Sequence, residues 1–229
     1  KSDTDLARFF SDVLETAKID IQLYLTKHNI SSDKVVFIVF HAGLGQDFSL
    51  PSLDPTIYDL KSAYIDEEMM QGIIPAIISG DSIITGILLP ETQNIIYYDV
   101  AEDIFGNPDY GTDNLCDIQI GLTGIFALNL GFELGLPPMY NLKTGDTRIG
   151  YFGLMDHGSN NGRGVIPAPP SPWTRSLAAD PPWSTIETIS PIQSLDTTIT
   201  VFALDSLKTL YRIDISENEY FLIENRNNW

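Results

Sequence analysis

From Ile118 to Leu134 the chain is rich in apolar residues at helix-like spacing, and Gly135 with Leu136-Pro137-Pro138 closes the run. A glycine just past a helix supplies the left-handed residue that frees the last carbonyls, and proline cannot continue the helical ladder. Intrinsic propensity argues the other way, because Gly121, Gly124 and Gly131 each weaken an isolated helix. The expectation of a helix therefore rests on the order of residues along this segment.

That order has the frame of the zinc-peptidase pattern H-E-x-x-H. In that pattern two imidazoles one turn apart hold the metal, and the glutamate takes a proton from the bound water. Here the three places are Leu128, Asn129 and Phe132, and the place of a third ligand beyond the glycine turn is Pro138. Leucine and phenylalanine offer no lone pair, and the neutral amide of asparagine does not take up a proton near neutral pH.

The surrounding residues Gly124, Phe126, Ala127, Gly131, Leu134, Gly135, Leu136, Pro137 and Tyr140 keep the register of a longer pattern, approximately G-V-F-A-H-E-F-G-H-x-L-G-L-P-D-L-Y-D. Upstream, Val36 to Asp47 is similar to a strand ending in H-A-G-x-G-Q-E. Downstream, Gly150 to Ser159 resembles a methionine turn, and Pro170-Ser171-Pro172-Trp173 and Glu219 to Arg226 look like two later signatures. Together these resemble the immune inhibitor A family of secreted bacterial zinc metallopeptidases, from about residue 35 onward.

The resemblance implies an α/β (α+β) fold: a zinc-metallopeptidase-like domain with a mixed sheet and a vestigial active-site helix, followed by a β-rich segment. The expected division is residues 1–182 for the first domain and 183–229 for the start of the second. It also implies export, to a secreted or cell-surface location, with a signal and propeptide upstream of Lys1. With Leu128, Asn129, Phe132 and Pro138 at the ligand and base positions, no catalytic residue and no zinc are expected. The function expected is that of an inactive peptidase homologue with a binding, assembly or structural role, its partner a protein or a second copy. Two alternatives are an active metallopeptidase with non-standard ligands and a calcium-stabilised module that binds protein or glycan. Leu128 and Phe132 read as a core-packing pair one turn apart, or as a hydrophobic pocket for an apolar side chain. Glu133 is expected to be a solvated or structural carboxylate.

The net charge of −18 argues against nucleic acid and anionic membrane surfaces, which need Lys and Arg to neutralise phosphates. No basic residue occurs between Lys61 and Lys143, a span that holds many acids. The plain reading is a solvated acidic surface. The sharper one is calcium, a hard cation that takes several oxygens. Its candidates are Asp99, Asp103, Asp109, Asp113 and Asp117, in a loop without the ordered spacing of an EF-hand. Cys116 is the only cysteine, so no internal disulfide forms. No apolar run is long enough to span a bilayer.

Elsewhere, Leu6, Phe9, Phe10, Val13 and Leu14 begin an amphipathic helix expected over Thr4 to His28, with Asp3 or Thr4 as its cap. A buried strand is expected over Lys34 to Phe40, ending at the turn His41 to Gly45. Short strands are expected over Ile73–Ile78, Ser82–Leu89 and Asn94–Asp99, then loops to Ser171. Four more are expected over Thr185–Ile189, Thr197–Ala203, Thr209–Ile213 and Glu219–Glu224. His28, His41 and His157 are the only histidines, too scattered in sequence to suggest a metal site. His157, Asp156, Met155 and Tyr140 are the candidates for binding in a vestigial cleft. No G-x-S-x-G elbow or phosphate-binding loop is present.

Overall fold

The computed structural model describes residues 2–45, 47, 59–95, 118–178, 183–189, 198, 200–203 and 209–226. It combines helix and sheet in two compact units: Lys1–Glu133 with Ser159–Pro167, and Leu134–Gly158 with Ala168–Trp229. The strands expected of an appended segment after residue 183 thus share a unit with the methionine-turn-like loop.

The first unit begins with helix α1, Asp3–His28. Its cap is Ser2 rather than Asp3 or Thr4. The Ser2 hydroxyl accepts from the Asp5 N–H, and the Asp5 carboxylate accepts from the Ser2 N–H, so two end donors are satisfied reciprocally. Leu6, Phe10 and Leu14 recur along one face and are buried. That face packs on β2 (Ala63–Ile65) and β3 (Ala76–Ile78).

Strand β1 spans Ile38–Leu44, later than expected, so His41 lies within the strand instead of in the turn after it. It pairs in parallel with β5 (Gly86–Ile95), and the register slips between His41 and Leu44, the signature of a bulge. β2 lies antiparallel on the other side of β5, where β6 (Ile118–Ile120) pairs farther along. β3 and β4 (Asp81–Ile83) form a separate antiparallel hairpin. The main sheet is therefore mixed, as expected.

Alternation along β5 assigns its faces. A Cβ on Gly86 would lie 2.2 Å from the Phe10 ring and 2.8 Å from the Phe37 carbonyl oxygen, so Gly86 faces α1. Leu88 shares that face with its partners Val39 and Ala63, whereas Ile87 and Tyr64 share the other. Helix α2 (Leu122–Glu133) packs on β2 and β5, and Tyr64 meets it through Phe132. Gly86→Ala should destabilise the chain by about 1–3 kcal/mol, because neither the buried ring nor the backbone oxygen yields freely. A urea midpoint unchanged from wild type would show that the core under α1 is looser than drawn.

In the second unit, helix α3 (Pro172–Leu177) begins immediately after the loop expected up to Ser171, where no helix was expected. Ser171 caps it and proline fills its first position, where the missing N–H costs nothing. It packs on β9 (Tyr220–Ile223) of the sheet β7-β8-β9, with β7 at Thr185–Ile189 and β8 at Thr209–Asp214. β8 runs parallel to β7 and antiparallel to β9. Of the run expected over Thr197–Ala203, the described residues contribute one isolated bridge, Ala203 to Asn225.

Candidate functional site

Helix α2 forms as expected, and Gly135 beyond it takes φ +77. Its first three residues of expected helix are instead strand β6. Gly121, just before the helix, has no side chain to cap it, and backbone carbonyls receive N–H groups of the first turn. Gly121 N–H donates to the Arg163 carbonyl at 2.7 Å, and Gly124 N–H donates to that of Gly164 at 2.8 Å. This approach requires Gly124: a Cβ there would stand 1.8 Å from the Ser159 carbonyl oxygen. The Gly-rich loop after Ser159 is thus tied to the start of α2.

At the positions of the metal pattern, Leu128 and Asn129 are buried and Phe132 is half-buried. The Asn129 amide donates to the Ile125 carbonyl at 2.8 Å, one turn back. Phe132 lies against Tyr64 with ring centroids 6.0 Å apart, within the range of favourable aromatic pairs. Pro138, half-buried in the second unit, offers no side-chain donor atom. The four residues do not fit a zinc ion.

Glu133 is not simply solvated. Its Oε1 receives the Thr85 hydroxyl at 3.3 Å, while Oε2 is buried with no hydrogen-bond partner. Burial pushes this carboxyl above the usual range, with the hydroxyls of Thr85 and Tyr64 pulling the other way.

His41 is buried on the α1 face of the sheet, with its Nδ1 3.0 Å from the Ala42 carbonyl oxygen. The sheet therefore lies between it and α2. His28 stacks on Tyr24 at the far end of α1, 4.4 Å between centroids. Among the described residues, no three His, Cys, Asp or Glu side chains come together as a metal site. The calcium candidates Asp99, Asp103, Asp109, Asp113 and Asp117, and Cys116, lie outside the described residues.

In the second unit the other four candidates converge on one loop. Tyr140 bridges to Thr147, and the Met155 carbonyl accepts from Met139 N–H at 2.8 Å. Met155 is fully buried, and Asp156 is 1 % exposed. Asp156 Oδ2 accepts from the Thr147 hydroxyl (2.8 Å) and the N–H groups of Arg148 (2.9 Å), Ile149 (2.8 Å) and Gly150 (3.0 Å). Its Oδ1 accepts from His157 N–H at 2.8 Å. Burial alone would raise this carboxyl, but the donors outweigh it and bring it down to about 2. Burial, then the charge of Asp156, pushes the Tyr140 phenol up. Asp156 is thus the anchor of the loop, and His157 beside it is half-buried with its ring 6.0 Å from that of Tyr151.

One residue that sequence reasoning passed over, Arg175, joins the two later signatures. Arg175, buried in α3, donates to the Ser184 hydroxyl at 3.1 Å, to the Pro170 carbonyl and to Glu224, which also receives Arg226. A lone arginine after Trp173 and an acid just past the last strand were the available signals, and 49 residues separate them.

The chain matches no protein-family model, no curated protein and no solved structure. No helix among the described residues is long and apolar enough to cross a membrane.

Proposed function

We propose that this chain is a catalytically inactive homologue of the immune inhibitor A-type zinc metallopeptidases, secreted or held at the cell surface, with a binding, assembly or structural role. One turn of α2 carries the proposal. At the place of the first ligand Leu128 is buried, and at the place of the base the Asn129 amide is spent on the Ile125 carbonyl. At the second ligand position Phe132 packs on Tyr64. A water-activating site needs lone pairs aimed at one point and a group that takes a proton. These side chains supply neither.

The loop around Asp156 supports a non-catalytic role in the same way. An acid that accepts five hydrogen bonds from its own loop holds that loop's shape, and its depressed pKa makes it a poor proton acceptor. The partner is a protein or a second copy of the chain, in keeping with the exposed Tyr151 and Phe152 on this unit, side chains of the type that protein interfaces bury. Incubation with an unfolded protein substrate and added zinc should give no cleavage that a chelator abolishes. Chelator-sensitive cleavage that copurifies with the chain would overturn the proposal.

A further inference from the structure

We infer that Glu133 makes the closure of α2 onto β2 proton-dependent: the fold holds this carboxyl best when it is uncharged, and its ionisation loosens the last turn of the helix. Three observations converge. Oε2 is buried, and the neutral hydroxyls of Thr85 and Tyr64 beside the carboxyl do not offset the cost of burying its charge. Glu133 is the last residue of α2, where the unpaired carbonyls present partial negative charge and disfavour an anion. No counter-charge is at hand, for residues 62–142 contain no Lys, Arg or His, and no ion pair among the described residues includes Glu133.

The neighbours deepen the imbalance. From β2 comes Tyr64, with Asp66 and Glu67 close beyond it. The Tyr64 phenol is itself pushed up to about 12, by burial first and then by Glu133 and Asp66, so it stays neutral beside the carboxyl. β5 turns Ile87 and Leu89 to this side, with Glu91 farther along. Thr85 adds only a hydroxyl, and α2 itself carries no other charge. In the segment after Ser159 that meets α2, the cation is Arg163. Its carbonyl binds Gly121 at the opposite end, about 18 Å away at 1.5 Å per residue.

A carboxyl whose pKa is raised in the folded state makes folding less favourable as pH climbs from the ordinary glutamate range through the raised value. Thermal melts of the whole chain between pH 5 and pH 8 should therefore separate wild type from Glu133→Gln. The variant should melt about 2–4 °C above wild type at pH 8, with little difference at pH 5. Asp20→Asn, at an exposed acid on α1, should follow the wild-type slope. Parallel curves for wild type and Glu133→Gln, or a variant less stable at every pH, would overturn the inference. A carbon-detected NMR titration of the Glu133 carboxyl decides the matter even if the variant folds poorly. A midpoint above the ordinary range supports it, and an ordinary midpoint refutes it.

Discussion

Gly124→Ala should cost the fold more than about 3 kcal/mol, at or beyond the upper end of overpacking penalties. The added methyl would sit 1.8 Å from the Ser159 carbonyl oxygen and 3.3 Å from the Gly164 Cα. Both obstacles are backbone, so no rotamer change relieves them. Moving the loop away would also lengthen the Gly124-to-Gly164 hydrogen bond that caps α2, leaving first-turn donors without partners. Urea denaturation followed by far-ultraviolet circular dichroism reads the effect. Gly145→Ala provides the contrast: its φ of +75 brings backbone strain, but nothing lies within 4 Å of the new Cβ. That variant should lose about 1 kcal/mol, and equal losses at the two sites would refute the tight loop-to-helix contact.

Asp156→Ala should cost about 3 kcal/mol, the scale for removing a charged acceptor from several donors at once. The N–H groups of Arg148, Ile149, Gly150 and His157 and the Thr147 hydroxyl would lose their shared partner. Acid should reproduce part of that loss in the unaltered chain. The folded carboxyl lies at about 2, against an ordinary value of 3.8, so its contribution is complete above about pH 4 and disappears as pH falls through about 2. That difference corresponds to about 2 kcal/mol. Urea midpoints for wild type and Asp156→Ala should converge as pH falls from 4 to 2. A constant gap across that range would show that the side chain acts through packing and not through its charge.

The parts of the fold that were legible in the sequence are those whose information is local. Leu6, Phe10 and Leu14 repeat at helical spacing, and α1 follows them. Gly135 marks the end of α2, and the strand-like run Thr185–Ile189 forms β7. Strand β1 ends later than the sequence suggests because Gly43 and Gly45 read as a turn, whereas backbone pairing with β5 carries on through His41 to Leu44. β6 reads as part of the helix, since the three residues Ile118-Gln119-Ile120 are too few to tell the two periods apart. Helix α3 carried a readable signature, Ser171 before Pro172, that the density of prolines concealed.

At the site, the absence of imidazole and carboxylate groups at 128, 129, 132 and 138 could be read directly, because it is a matter of residue type. The role of Asp156 could not, because the N–H groups of Arg148, Ile149, Gly150 and His157 that it accepts from are backbone groups common to any sequence. Glu133 with Thr85, and Arg175 with Glu224, are pairings across 48 and 49 residues that only the fold creates.

The claim that α2 has exchanged metal binding for packing is tested most directly by equilibrium dialysis of the folded chain against zinc, with metal counted by elemental analysis. The expected result is no stoichiometric zinc at micromolar free metal. One tightly held zinc per chain that is lost on Asn129→Ala or Phe132→Ala, in variants that remain folded, would contradict it.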